Sequence, residues 1–387
     1  MEFKKVKIFV FGGSHYNTLG LIKSLGKEGY PIYVFLEHCN WESCDLRLSK
    51  YIKKLYHLNS LEDSLSILKA EYWNEKERPI VLCASDASIC FLDKHYNILK
   101  DKFCIFNSKE QQGEINRLME KINTFPIAER SGFSVIKTWR VNSKSQLPDN
   151  ITFPCLIKGN SSVTSLKTDM AKCENWEDLN ENFHEGIDYL VQEYIEKDFE
   201  IDVVGFAYNH GKNCIVKGAV RKIRDDLQRQ SVYIRLDNLE EYSSKISVFI
   251  SKYIAEIGYD GIFSIELLAK DDKFYFLENN LRNDGNGYLY TAAGINYPLC
   301  WVKYCTGTLN QDYVNKLNLK TPFYLMQMYD IYNMFEGKVS LFKWIKQAIT
   351  ADAYYVLDIH DIKPFIHSFF ICSRQFLKKL FRKIIRS

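Results

Sequence analysis

The chain has 387 residues, of which 46% are hydrophobic and 26% charged, a composition typical of a globular protein long enough for two or three domains. Its 51 basic and 48 acidic residues nearly balance at a net charge of +3, which excludes the strongly basic footprint of a nucleic-acid binder. The eleven cysteines are scattered without a CxxC pair, which favours free cytosolic thiols. The group His38, Cys39 and Cys44 lacks a second pair with finger-like spacing, so ordinary side chains explain it better than a metal site.

The N-terminal stretch "MEFKKVKIFVFGGSH" resembles a signal peptide only at its start, because its apolar run is short and ends in Gly-Gly without a cleavage-like site. No apolar run approaches the roughly 18 to 20 residues that a membrane-spanning helix needs. We therefore expect a cytoplasmic protein, with peripheral association at the inner face of the membrane as an open alternative.

The first part of the chain predicts an open parallel sheet. The strand "KVKIFVFGG" turns at Gly12-Gly13 into a helix and a second strand, "PIYVFLE", and "PIVLCASDASICFLDKH" gives a further strand, a turn and a helix. The glycines do not form GxGxxG, so a dinucleotide fingerprint is not supported. Ligands are expected at the carboxyl ends of such strands, where Asn17 and Asp86 either contact substrate or cap helices.

Beyond residue 107 the pattern becomes helical, in "KEQQGEINRLMEKINTFPIAERSGF", and strands then alternate with helices to about residue 305. We place a domain boundary near residue 110. Lys158 closes an apolar strand before the hydroxyl-rich loop "GNSSVTSLK", where it either binds phosphate or solvates a strand end. In "VQEYIEKDFE", Glu193 and Glu200 lie on either side of Ile195, and they either face water or flank a nucleoside.

A predicted β-hairpin carries the most informative residues. The apolar strands "GIFSIELLAK" and "KFYFLENNLR" are joined by the turn "KDDK", so Glu266 and Glu278 should lie side by side. Asn280 lies two residues further on and shares their face. Two carboxylates and a carboxamide suit Mg²⁺, and Arg282 continues the row towards a further anionic oxygen. The hairpin therefore predicts a metal–phosphate site.

In combination and in order, these motifs over residues 1–310 resemble the ATP-grasp superfamily of ADP-forming carboxylate–amine ligases. The segment "ENNLR", followed by Gly285 and Gly287, is similar to the family's final motif, E-x-N-x-R followed by small residues. The resemblance implies an α/β ATP-grasp fold in four parts. These are an N-terminal Rossmann-like sheet domain (1–110), a small subdomain (111–190), a large subdomain with the metal site (191–310) and a C-terminal helical extension (311–387).

The resemblance also implies roles for the matching residues. The ATP phosphates would contact Lys121 and Lys158, with Lys167 supplying charge in a phosphate loop that has only Gly159 where many relatives are glycine-rich. The adenine hinge would be Glu193 with the backbone of Tyr194 and Ile195, and the ribose ligand would be Glu200. The ligands of Mg²⁺, or of Mn²⁺ in its place, would be Glu266, Glu278 and Asn280. The groups acting on the transferred phosphoryl and on the acyl phosphate would be Arg221, Lys222 and Arg282.

The implied reaction is attack of a carboxylate on ATP, followed by displacement of phosphate from the acyl phosphate by an amine, or by a thiol. Amino acids, peptides or cell-surface glycan precursors are the expected substrates by family-level analogy. Two alternatives stay open: a catalytically silent nucleotide-binding regulator and a peripheral membrane scaffold. An oligomer is compatible with either reading.

The C-terminal tail, residues 364–387, repeats apolar residues at helical spacing and carries basic residues without an acid. It predicts either a helix packed on the protein's own core or a basic amphipathic helix on an anionic membrane, as for an acceptor that is lipid-linked.

Overall fold

The computed structural model describes residues 6–37, 39–160, 170–225, 231–327 and 330–386, with side chains described as far as residue 374. His38 and Lys167 lie outside the described residues, and the end of the predicted amphipathic tail lies beyond the last described side chain. All eleven cysteines are free thiols.

Four parallel strands form the N-terminal sheet: β1 (Ile8–Gly12), β2 (Ile32–Leu36), β3 (Ile52–His57) and β4 (Ile80–Cys83). Their order is β3-β2-β1-β4. Helices α1 (Tyr16–Gly26), α2 (Leu61–Ile67), α3 (Asp86–Lys94) and α4 (Tyr96–Leu99) connect and cover them. β1, β2 and β4 are buried at every residue, as expected for apolar strands with helices on both faces.

Gly12 ends β1 where three elements meet closely. A Cβ at this position would lie 2.6 Å from Thr18 Oγ1 and 2.9 Å from Ala84 Cβ. Ser85, two residues after β4, caps α3 by accepting from the backbone N–H of Ser88. The carboxyl edge of the sheet thus presents the starts of α1 and α3 to the rest of the protein.

A short connecting region leads to a second, antiparallel sheet with its own core. The connection contains β5 (Asn107–Ser108), α5 (Glu114–Leu118), α6 (Lys121–Ser131) and β6 (Ser134–Val135). The small sheet contains β7 (Thr138–Val141), β8 (Cys155–Gly159), β9 (Ala171–Cys173) and β10 (Tyr189–Glu193), with helix α7 (Trp176–Asn182). Its order is β7-β10-β8-β9. Its buried cluster, which includes Ile157 and Val191, is separate from the main core, so this part packs as its own layer.

The large sheet is built on β11 (Phe199–Tyr208), β12 (Asn213–Val216), β13 (Gly218–Asp225), β14 (Ser231–Asn238), β15 (Tyr259–Lys270) and β16 (Lys273–Asn280). Helix α8 (Ser244–Ile257) packs against α6. Asp271 and Asp272 both have positive φ and make the turn of the predicted hairpin, which pairs β15 with β16. The predicted hairpin is therefore confirmed.

The sequence predicts a helical C-terminal extension, but the structure has strands there as well. Besides α9 (Gly287–Ala292), α10 (Tyr297–Cys305), α11 (Gln311–Asn315), α12 (Ile331–Phe335), α13 (Leu341–Thr350) and α14 (Ile362–Arg386), this end of the chain has two strands, β17 (Phe323–Met326) and β18 (Ala353–Tyr354). They complete the large sheet in the order β18-β17-β14-β13-β11-β15-β16-β6, with β12 pairing β11 and β5 pairing β15. The division into four domains stays a prediction, and β10 crosses its boundary at residue 190.

Within the described residues, none of the helices has both the length and the apolar character needed to cross a membrane.

Candidate active site

Three carboxylates lie side by side across three neighbouring strands of the large sheet. Asp202 on β11 pairs with Glu266 on β15, and Glu266 pairs with Glu278 on β16. Directly opposite residues of antiparallel strands share a face, so all three side chains emerge on the same side. Asn280 follows on that face and donates from Nδ2 to Ser264 Oγ at 3.3 Å. We call Glu266, Glu278 and Asn280 the acidic row.

The pKa values of the two carboxylates in the row are shifted in opposite directions. Burial raises the pKa of Glu266 to about 7, and the neighbouring Glu278 carboxylate adds to that effect. Burial also acts to raise the pKa of Glu278, but Lys121 and Lys158 outweigh it and hold the pKa below its ordinary value. Two adjacent carboxylates and a carboxamide oxygen fit a Mg²⁺ ion that completes its shell with water and phosphate oxygens. The described residues contain no cluster of three or more His, Cys, Asp or Glu side chains that could hold a metal by themselves. The row offers two carboxylates, and its third oxygen comes from the carboxamide of Asn280.

Two lysines from the small-sheet side face the row. Lys121 begins α6, and its Nζ lies 3.0 Å from Glu278 Oε2. Its backbone N–H donates to Asn160 O at 3.1 Å, which ties α6 to the end of β8. Burial lowers the pKa of Lys158 on β8 to about 8, although the Glu278 charge partly opposes this. The structure thus brings both predicted phosphate ligands to the row, while Lys167 lies outside the described residues.

The predicted nucleoside segment follows the small sheet. Glu193 ends β10, and its N–H donates to Lys137 O at 3.0 Å, while the Tyr194 N–H donates to Pro154 O at 3.2 Å. These bonds fix the backbone that leads to the half-buried Ile195. Glu200 on β11 lies on the face of the row, where its carboxylate contacts Lys222 Nζ at 3.7 Å.

Lys222 and Arg221 are neighbours on β13, so their side chains lie on opposite faces of the sheet. Burial acts to lower the pKa of Lys222, but Glu266 and Glu200 outweigh it and raise the pKa, so this lysine stays charged beside the row. Arg221 pairs with Ile201 and places its guanidinium 4.9 Å from the centre of the Phe199 ring. Phe199 and Ile201 point away from Glu200 and Asp202 because neighbours on a strand alternate faces. The structure therefore does not bring Arg221 to the row, contrary to the sequence prediction.

Arg282 joins the row to the N-terminal sheet. Its Nε donates to Asp86 Oδ1 at 2.6 Å, its Nη1 to Asn283 O at 3.1 Å and its Nη2 to Asn280 Oδ1 at 3.2 Å. Asn17 reinforces the junction by donating from Nδ2 to Asn283 O and Ala84 O, each at 2.8 Å. Both strand-end residues considered for substrate contact, Asn17 and Asp86, are thus at the site.

Sequence reasoning missed a second group of polar residues beside the row, on and around β11. Asp202 is 2% exposed and accepts at Oδ2 from Asn286 Nδ2 at 2.9 Å. The hydroxyl of Tyr355 donates to Asn286 Oδ1 at 2.9 Å. Burial raises the pKa of Asp202 well above its ordinary value, and Asp284 and Glu266 raise it further. Alternation with Glu200 could have found Asp202, whereas no local pattern marks Tyr355.

Comparison with solved structures shows which proteins share this architecture. N5-carboxyaminoimidazole synthetase from Staphylococcus aureus matches with a TM-score of 0.65 at 14% identity, over 86% of this chain and 85% of that chain. L-amino acid ligase from Bacillus licheniformis matches with a TM-score of 0.63 at 12% identity, over 81% and 78% of the two chains. A biotin carboxylase from Campylobacter jejuni, in complex with an ATP analogue, gives a TM-score of 0.63 at 16% identity, over 83% and 75%.

At the level of sequence the likeness is weaker. A formate-dependent phosphoribosylglycinamide formyltransferase from a Sulfurovum species is 26% identical over 187 residues, which is 45% of this chain and 46% of the relative. The match thus spans about half the length of that curated relative. No protein-family model matches the chain. The shared architecture confirms the predicted fold class.

Proposed function

We propose that this chain, which has the ATP-grasp fold, is an ATP-dependent ligase that joins a carboxylate to an amine and releases ADP and phosphate. The observation that supports the proposal is one continuous polar surface. It runs from Lys121 and Lys158, through the acidic row, to Arg282 and the carboxyl edge of the N-terminal sheet. Such an order of cations, metal ligands and a guanidinium suits a triphosphate next to a second, anionic reactant.

In the proposed reaction, a substrate carboxylate oxygen attacks the γ-phosphorus of ATP, and the bond to the β-phosphate oxygen breaks to release ADP. The amine nitrogen then attacks the acyl carbon, phosphate leaves with the electron pair of the broken bond, and the amine loses a proton. A thiol in place of the amine would follow the same course. No Ser or Cys nucleophile of the chain is needed, because the phosphate activates the carboxylate.

In this scheme the chain's own residues bind and orient the phosphate and acyl phosphate groups. Lys121 and Lys158 approach the phosphates from the small-sheet side, and Lys222 balances the carboxylates from β13. Mg²⁺ held by Glu266, Glu278 and Asn280 would neutralise phosphate oxygens as charge shifts between them. Arg282 donates from Nε to Asp86, and the N–H groups of Nη1 and Nη2 that are not used by Asn283 and Asn280 would bind the acyl phosphate. Asp86 acts as a positioning residue for that guanidinium.

Substrate identity enters the proposal only by analogy. The neighbour named as an L-amino acid ligase makes an amino acid or peptide a reasonable first acid and amine, and glycan precursors of the cell surface are the second choice. The proposal places the protein in the cytoplasm, because the reaction consumes ATP. A catalytically silent regulator would bind nucleotide at the same row without releasing ADP.

The test is an ADP-release screen with the full chain, Mg²⁺ and ATP fixed, and amino acids and sugar acids supplied in pairs as acid and amine. We expect ADP and phosphate to form in equal amounts when the correct pair is present, with a coupled product of matching mass. A Glu278→Gln chain prepared in parallel controls for contaminating ATPases. Nucleotide binding with no ADP release for any pair favours the regulator, and equal release by parent and variant contradicts the proposal.

A further inference from the structure

Helix α13 in the C-terminal extension has an apolar side that is open to solvent. Phe342 is 86% exposed, Ile349 77%, Leu341 51% and Ile345 40%. At 3.6 residues per turn these four positions fall within an arc of about 100°. Large contiguous apolar surfaces of this kind mark interaction sites on folded proteins. We call these four side chains the α13 apolar arc.

The opposite side of the helix is attached to the protein, so the direction of the arc is fixed. Gln347 Oε1 accepts a hydrogen bond from Arg224 Nη2 at 3.0 Å. On the flank next to Leu341, the carbonyl of Ala348 accepts from the Tyr354 hydroxyl and the Trp344 side chain is half-buried. Turning the arc inward would break these contacts. The arc therefore faces outward as part of the folded structure.

The neighbouring helices add exposed apolar side chains. α12 packs against α13, and its Tyr332 hydroxyl donates to Cys372 O of α14 at 3.3 Å, so α12 contacts both helices. Phe335 at the end of α12 is 54% exposed. On α14, Phe369 is 48% and Phe370 is 67% exposed. The whole extension thus carries more exposed apolar area than one helix supplies.

Basic residues outnumber acidic ones on these segments. Residues 336–352 contain three lysines and two acids, and one of the acids, Glu336, lies 3.6 Å from Lys338 Nζ. Residues 362–387 contain seven lysines and arginines and no acidic residue. The chain as a whole is close to neutral, at +3, so the positive charge is concentrated here. Lys346 borders the α13 apolar arc, about 40° beyond Phe342, and an apolar arc with a basic border complements a surface that combines hydrocarbon with negative charge.

We propose that α13 lies flat on an anionic lipid bilayer, with the α13 apolar arc in the interfacial region and Lys346 at the level of the phosphates. A second copy of the chain fits less well, because a two-fold contact through this face would place Lys346 of both copies in one interface. The inference does not depend on the proposed reaction. It names a different helix from the tail predicted from the sequence.

The test measures co-sedimentation of the full chain with phosphatidylcholine vesicles, with and without phosphatidylglycerol. We expect binding to the anionic vesicles only. The double variant Phe342→Asp, Ile349→Asp should lose vesicle affinity by roughly tenfold or more, since two apolar anchors become charged. The matched control is Ile98→Asp, Val248→Asp, which changes two helical side chains that are 45% and 50% exposed elsewhere on the surface.

Melting temperature and ATP turnover without vesicles should match the parent in both double variants, which shows that the fold is retained. Several results would overturn the proposal: equal binding by the α13 variant and the parent, equal loss in the control, or no preference of the parent for phosphatidylglycerol. A parent that ignores vesicles but forms a dimer, which the α13 variant splits, would assign the arc to a second copy instead.

Discussion

Replacing Arg282 by lysine tests whether its positive charge or its planar geometry matters at the junction of the N-terminal sheet and the large sheet. The guanidinium makes three described hydrogen bonds, to Asp86, Asn283 and Asn280, from three different nitrogens. An ammonium keeps the positive charge, but it lacks the planar fork and cannot reach three acceptors in these directions at once. The nucleotide phosphates are assigned to other side chains. We therefore expect ADP affinity to survive in Arg282→Lys.

The size of the two effects follows from the lost contacts. Loss of two of the three hydrogen bonds should lower the free energy of unfolding by about 1–3 kcal/mol, at roughly 0.5–1.5 kcal/mol each. If the guanidinium also holds the acyl phosphate, kcat should fall by roughly 10² or more, as on removal of one oxyanion donor. The catalytic loss thus exceeds what a slightly loosened junction would cause by itself.

Asp86→Asn provides the matched comparison, because it removes the same ion pair from the other side. ADP affinity by calorimetry, unfolding midpoint by thermal scan and ligase kcat by ADP release should be measured for both variants. We expect similar losses of stability and a clearly larger loss of kcat in Arg282→Lys. Equal kcat values in the two variants would show that Arg282 is only a tie between sheets, and a parental kcat in Arg282→Lys would refute the reasoning altogether.

Two further predictions concern the lysine and tyrosine at opposite sides of the row. Since the pKa of Lys158 is about 8, its charge is present below pH 8 and lost above it, so ATP affinity measured by calorimetry should weaken between pH 7 and 9. Lys158→Ala should bind ATP weakly without this pH dependence, and parental affinity in that variant would contradict the assignment. Tyr355→Phe removes the hydroxyl that orients Asn286, and should lower kcat/KM for the acid or amine by roughly two- to tenfold, the worth of one hydrogen bond, with ADP affinity unchanged. Tyr354→Phe, whose hydroxyl bonds Ala348 O instead, should match the parent, and equal kinetics in the two variants would remove Tyr355 from the site.

The hairpin shows how much of the site could be predicted from local sequence. The turn at Asp271 and Asp272 fixes the register only as far as the pair Leu267–Phe276, and a bulge beyond that pair brings Glu278 opposite Glu266. The two-residue period of a strand then places Asn280 on the face of Glu278. The same period explains the error at β13. Arg221 and Lys222 are adjacent on one strand, so they could not both face the row.

Contacts between distant parts of the chain could not be predicted in this way. Arg282 donates a hydrogen bond to Asp86, 196 residues away in the sequence, and Tyr355 donates one to Asn286, 69 residues away. Likewise, the strand Phe323–Met326 is short and gains its partners only in the folded sheet, so the sequence suggested a helical extension. Tertiary pairing decides such segments more than local propensity does.

The Glu278→Gln variant tests the central claim that the acidic row binds Mg²⁺ with ATP. The substitution preserves shape, and the lost ion pair to Lys121 at 3.0 Å is offset by relief of the repulsion from Glu278, which adds to the effect of burial in raising the pKa of Glu266. We therefore expect an unfolding midpoint near that of the nucleotide-free parent. ADP formation should be abolished, and Mg²⁺ should tighten ATP binding in the parent but not in the variant. Parental turnover by Glu278→Gln at saturating Mg²⁺ would contradict the account, because the row would then be only the solvated end of a strand.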